Sequence, residues 1–160
     1  MAGYYFDEFE VGHIYKHPIR RTITEMDNVL FSSLTMNHQP LHIDFDFCEK
    51  QTEFGQPLVN SLFTLGLMIG ISVNDTTIGT TIANLGMTEV RFPKPIFHGD
   101  TVAVTTKVIS KRDSRSRPDA GIVEFEHSMT KQTGDLVAIC RRQAFMRKKP
   151  KAPTGEMPEA

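Results

Sequence analysis

From Pro57 to Val73 the chain reads PLVNSLFTLGLMIGISV, and no other stretch limits the fold so tightly. The spacing predicts a helix from about Ser61 to Asn74. Leu62, Phe63, Leu65, Leu67, Met68, Ile69 and Ile71 leave it no continuous polar face. A helix that is apolar all round has to be enclosed by other structure. The enclosure is protein rather than lipid: a membrane span needs about 20 predominantly apolar residues, and Asn60, Ser61 and Thr64 interrupt this run. At roughly 1.5 Å per residue the helix is about 20 Å long, close to the length of a six-residue strand. Gly66 and Gly70, on one face, would let a sheet approach its backbone closely.

The residues after the helix supply such a sheet. Their hydropathy changes to period two, which predicts strands over Thr80–Phe92, Thr101–Lys111, Ile122–Lys131 and Leu136–Phe145. Thr133-Gly134-Asp135 makes a hairpin turn before the last of them, and Arg112–Gly121 reads as a long polar hairpin loop. Before the helix, Gly12–Thr24 is a strand interrupted by Pro18. Thr24 with Asp27 forms a capping-box pattern opening a helix from Glu25 to about Met36, with Val29, Leu30, Ser33 and Leu34 on a shared face. His42–Gln56 reads as short turns and helical pieces. The expected class is α+β: an antiparallel sheet wrapped around a long central helix.

At 160 residues the chain has the size of one domain; we place that domain at residues 1–147, with a Pro-rich, disordered tail over 148–160. The net charge of −1 gives no sign of nucleic acid or an anionic membrane as partner. Cys48 and Cys140 have neither metal-ligand spacing nor the density of a disulfide scaffold, so reduced thiols and a cytoplasmic location are expected. MAGYYFDEFEVG lacks the basic region and apolar run of a signal peptide. His13 and His17 lie in a strand-like region and are not read as a metal pair. No metal or organic cofactor is expected.

Chemistry concentrates in TMNHQPLHIDFD, residues 35–46. The order FDEFEVGHIY, FSSLTMNHQPLHIDFDF, FGQPLVNSLFTLGL and VRFPKPIFHGDTV resembles the MaoC-like branch of the hot-dog superfamily, the (R)-specific enoyl-CoA hydratases, over roughly Tyr5 to Met146. The second segment resembles the hydratase motif F-A-x-L-[ST]-x-D-x-N-P-x-H-x-D. Its catalytic Asp and His fall on Asn37 and His42, so the histidine matches and the carboxylate is an amide. The family's Asn before Pro falls on Gln39, and its His-Gly before the central helix on Asn60-Ser61. The PLVNS segment resembles members acting on branched C5 dicarboxylic acyl-CoAs such as mesaconyl-CoA or itaconyl-CoA.

Each residue has a plainer reading beside the catalytic one. Asn37, after a helix with Pro40 beyond, is a common left-handed cap; it can orient water but cannot carry a proton. His42 is either satisfied in a loop or an acid–base near neutrality, and the motif favours the second. Asp44 either orients that ring or caps the short helix after it. Ser61, with Asn60 before it, either begins a helix and nothing more or presents a backbone N–H to a thioester oxygen. Arg91 is a candidate for CoA phosphate or a substrate carboxylate, as are Arg112, Arg115 and Arg117, whose ordinary reading is solvated charge.

The resemblance implies an acyl-CoA hydratase/dehydratase adding water across an α,β double bond, working as a homodimer or dimer of dimers. Two alternatives stand beside it. A hot-dog thioesterase would need a carboxylate near the central helix, and Ser61–Asn74 has none. A non-catalytic acyl-CoA-binding subunit would explain Asn37 but not the retained His42.

Overall fold

The computed structural model describes residues 3–150. A 3-10 turn (Phe6–Glu8) is followed by β1 (Ile14–Lys16), β2 (Arg21–Thr22), α1 (Glu25–Leu34), α2 (Pro40–Ile43), α3 (Phe45–Gln51), α4 (Ser61–Thr76), β3 (Thr81–Arg91), β4 (Thr101–Asp113), β5 (Ala120–Lys131) and β6 (Leu136–Arg147). The strands form one antiparallel sheet in the order β1-β4-β5-β6-β3, with β2 also on β4. Pro18 splits the expected first strand into β1 and β2, since it has no N–H to give a ladder. The polar hairpin loop is shorter than expected, because β4 and β5 pair as far as Asp113 and Gly121.

Alternation along β4, β5 and β6 sets one face toward α4. Val102, Val104, Thr106 and Val108 are buried there, as are Val123, Phe125, His127 and Met129, and Ala138, Cys140, Arg142, Ala144 and Met146. From the helix side Thr64, Met68, Ile71, Ser72 and Thr76 are buried. Gly66 and Gly70 are exposed, and a Cβ on either would meet nothing within 4 Å. This corrects the expectation that the glycines face the sheet. The small polar residues Thr64, Ser72 and Thr76 allow the close approach instead, their hydroxyls donating to helix carbonyls. Leu62, Gly66 and Gly70 leave one face of α4 open, so a single chain encloses the helix only in part.

The core has two apolar clusters. One gathers Met68, Ile71, Val102, Val104, Met129 and Ala138; the other gathers Phe6, Phe9, Val108, Val123, Phe125 and Met146. A row of hydrogen-bonded polar groups crosses the sheet between them. Arg142 Nε donates to His127 Nε2 (3.2 Å), which leaves His127 Nδ1–H to donate to Thr106 Oγ1 (2.8 Å). Thr106 then donates to His17 Nε2 (2.7 Å), and His17 Nδ1–H donates to the Asp75 carboxylate (2.6 Å). The row runs from a guanidinium at one end, whose Nη2 is buried without a partner among the described residues, to a carboxylate at the other. His17 thus belongs to this row. Burial holds His127 well below the ordinary histidine range, with the Arg142 charge adding to the effect.

The second cluster is closed by the N-terminal segment, which Lys111 pins by donating to the carbonyls of Phe9 (2.7 Å) and Asp7 (3.3 Å). Phe6 lies on Gly121 so closely that a Cβ there would sit 2.3 Å from its ring. Lys148 and Lys149 are also held, the first N–H by Asp119 O and the second by the Asp7 carboxylate, both at 2.9 Å. Disorder is therefore not found at Lys148 and Lys149, where the tail was expected to begin, and the rest of that expected tail, 151–160, lies outside the described residues. At the sheet's far edge β3 leaves Leu85 and Val90 exposed, with Phe92 just beyond. No helix among the described residues is long and apolar enough to cross a membrane.

Candidate active site

α1 opens as the sequence predicts, with Thr24 accepting from the Asp27 N–H (3.3 Å) and Asp27 accepting from the Thr24 N–H (2.9 Å). Its end differs. Met36, not Asn37, takes the left-handed conformation (φ 60°). The Met36 N–H donates to Ser33 O (3.2 Å) and the Asn37 N–H to Ser32 O (2.9 Å), which is a Schellman closure. Asn37 lies one residue past the left-handed position, where its Oδ1 accepts from the Gln39 N–H at 3.3 Å. That turn delivers the chain to Pro40 at the start of α2, whose single turn carries His42.

His42 is half-buried, and its Nδ1 lies 2.8 Å from the Leu58 carbonyl oxygen. A carbonyl can only accept, so Nδ1 carries the proton and the neutral ring keeps its lone pair on Nε2. Nε2 makes no hydrogen bond among the described residues. His42 is thereby set as a base. Asp44 does not orient it: its carboxylate accepts from the Phe47 N–H (2.9 Å) and caps α3, the plainer of the two readings. No hydrogen bond joins Asn37 to His42.

Asn60, buried, caps α4 by accepting from the Leu62 N–H (3.0 Å), while its own Nδ2 donates to Ser32 Oγ (3.3 Å). Ser61 is exposed at the first helical position, and its N–H has no partner among the described residues. It borders a groove of about 210 Å³ walled by Leu58, Val59, Thr64, Phe92, Ile96 and Val137. The groove is thus lined by Ser61 at the positive end of a sixteen-residue helix. Its Leu58 wall is also the residue that holds His42. Arg91 does not line the groove; it is exposed on β3, 4.0 Å from Glu89. A larger hollow of about 890 Å³, between Tyr5, Asp119 and Arg147, shares no residue with this site.

Sequence reasoning missed Asn28, Ser32 and His98. The shared face expected on α1 was Val29, Leu30, Ser33 and Leu34, yet Leu30, Ser33 and Leu34 are exposed and the buried residues are Asn28 and Ser32. Asn28 Nδ2, with two hydrogens to share among three acceptors, faces His42 O (2.9 Å), Leu58 O (3.2 Å) and His98 Nε2 (3.0 Å), and its Oδ1 accepts from the Asn60 N–H (2.9 Å). The signal available was two small polar residues four apart in a helix otherwise rich in exposed apolar side chains.

α4 extends beyond the expected end to Thr76 and so gains one carboxylate, Asp75. It is some 20 Å from Ser61 along the helix and engaged by His17. A hydrolytic carboxylate near the groove is not supplied by this helix.

The protein family described as MaoC like domain matches residues 8–130. β-Methylmalyl-CoA dehydratase of Chloroflexus aurantiacus is 31% identical over 155 residues, 96% of this chain and 43% of that protein. Mesaconyl-CoA hydratase of Cereibacter sphaeroides is 27% identical over 157 residues, 98% of this chain and 45% of that protein. The chain thus spans less than half the length of these two relatives. A double-hotdog protein of Mycobacterium tuberculosis superposes with a TM-score of 0.84 at 25% identity, over 96% of this chain and 47% of that one. An Archaeoglobus protein described as a monoamine oxidase regulatory protein superposes at 0.82 with 31% identity, over 94% of this chain and 98% of its own. The sheet wrapped on α4 is the hot-dog fold.

Proposed function

The chain belongs to the MaoC-like domain family, and we propose that it is an enoyl-CoA hydratase-type lyase, adding water reversibly across the α,β double bond of an acyl-CoA. The observation that carries this reading is the His42 ring, held with Nε2 free by the carbonyl of Leu58, itself a wall of the groove that Ser61 also lines. His42 Nε2 takes a proton from water as the oxygen bonds to Cβ, and the same imidazolium returns a proton to Cα on that face. The thioester stays intact. Negative charge that develops on its oxygen is held by the Ser61 N–H and the α4 dipole, more strongly than the neutral carbonyl is. Asn37 orients the water and moves no proton.

The substrate we propose is a branched C5 dicarboxylic enoyl-CoA such as mesaconyl-CoA or itaconyl-CoA. The names of the relatives support it, as does a groove smaller than the 300 Å³ or so at which drug-sized sites begin. Arg91 remains the proposed contact for a phosphate or carboxylate at the rim. Coenzyme A enters as part of the substrate, with no other cofactor. The free β3 edge and the open face of α4 support a homodimer or dimer of dimers, and two unpaired cysteines support a cytoplasmic location.

Crotonyl-, mesaconyl- and itaconyl-CoA hydration, followed through the conjugated thioester absorbance, tests the reading beside His42→Ala. We expect turnover of a dicarboxylic substrate, reduced about 10²- to 10⁴-fold by His42→Ala. Silence across the panel with saturable acyl-CoA binding would replace it by the second reading, a non-catalytic binding subunit, which the amide at Asn37 favours.

A further inference from the structure

We infer that Asn28 is the positioning residue of this site, one buried amide that sets the distance between the base on α2 and the N-terminus of α4. The inference rests on the hydratase reading for its kinetic consequences and on hydrogen-bond geometry alone for the linkage.

His42 and Ser61 stand on separate segments, and Asn28 holds the His42 carbonyl and the N–H of Asn60, the residue before Ser61. Its side chain is fully buried, and its orientation is fixed by chemistry. His42 O and Leu58 O can only accept, so the group facing them is the NH2; the Asn60 N–H can only donate, so the group facing it is Oδ1. Asn28 itself is not among the residues that line the groove. Asn28 acts through His42, Leu58 and Asn60.

The fourth partner makes the grip sensitive to a proton. His98 Nε2 accepts from Asn28 Nδ2, so its ring proton is on Nδ1. Protonating Nε2 would set donor against donor and break the contact. Burial depresses the His98 pKa, opposed by the Glu25 carboxylate of α1. From α3 the group facing His98 is the uncharged Phe45 ring, 6.0 Å away. Asp100, two residues along, is turned to the Phe97 N–H, Gln132 and Lys131. A second proton on His98 therefore reaches His42 through Asn28.

Two measurements test this. The first is a ¹⁵N-resolved histidine titration of the wild-type protein and of Asn28→Ala. We expect the wild-type His42 ring signals to show an inflection at the His98 midpoint, absent in the variant. The second is hydration kinetics of Asn28→Asp, which keeps the acceptor for Asn60 and loses every donor. We expect kcat to fall about tenfold or more with KM changed less than about threefold, as for loss of reacting geometry, and the His98 midpoint to rise beside the new carboxylate. A folded Asn28→Asp protein with kcat within twofold of wild type would overturn the inference. So would wild-type His42 signals blind to His98, and if the variants do not fold this titration decides alone. A wild-type protein that hydrates no enoyl-CoA would sink the hydratase reading while the titration still decides the linkage.

Discussion

Met36 shows how far local chemistry alone locates a site. Asn is the non-glycine residue most tolerant of a positive φ, which put the expected left-handed cap on Asn37. The chain instead spends that conformation on Met36, 77% exposed, because the Schellman bonds from Met36 and Asn37 to Ser33 and Ser32 fix where the last turn ends. Met36→Gly should therefore raise stability by about 0.5–1 kcal/mol, the left-handed strain exceeding the extra freedom of glycine in the unfolded chain. A urea titration with an unchanged m-value checks this; a loss of stability would show that the Met36 side chain contributes packing. His42 was legible because its spacing from Pro40 and Asp44 is a property of the sequence. Asn28 was not, because the groups it satisfies belong to His42, Leu58 and Asn60, which only the tertiary fold brings to α1. Those buried carbonyls and N–H needed a partner that Val29 or Leu30 could not provide, and α1 turned its apolar side chains outward accordingly.

Among the elements, α4 was the most legible and also the most misread. Its hydropathy demanded cover on every side, and the sheet covers only the face of Thr64, Met68 and Ser72. A hydropathy pattern does not say whether the cover comes from the same chain, and the face of Leu62, Gly66 and Gly70 is where the proposed partner copy belongs. The strands were found because period two survives in every core-facing position of β4, β5 and β6, and even β3, an edge with its side chains mostly exposed, lies within one residue of its expected ends. The N-terminal segment is joined to β5 by the contact of Phe6 with Gly121. Gly121→Ala should push Phe6 out and cost about 1–3 kcal/mol of stability, as overpacking does. Thermal melts beside limited proteolysis would show it: cleavage within the first ten or so residues should rise before global unfolding, and unchanged protection would mean the ring can shift in place.

The whole molecule is organised by the polar row from Arg142 to Asp75 as much as by its two apolar clusters. His127 in that row is held neutral, its folded pKa far below the unfolded value of about 6.5. Between those two values the unfolded chain binds a proton that the folded one refuses. The stability contributed is thus complete above about pH 6.5 and is lost as pH falls toward the folded pKa, at up to about 1.4 kcal/mol per pH unit. Urea midpoints at pH 7, 6 and 5 should fall accordingly, and His127→Gln should flatten the slope over that range; an equal slope in the variant would assign it to other groups. The row also answers a danger that alternation cannot. If β4 slid by two residues along β5, every valine and methionine would still point inward, so the hydrophobic pattern is blind to that mistake. Thr106 would then leave His127, and the buried row would be cut in its middle. The seam through the core is a proofreading mark: it makes one alignment of the strands acceptable and its near-copies costly.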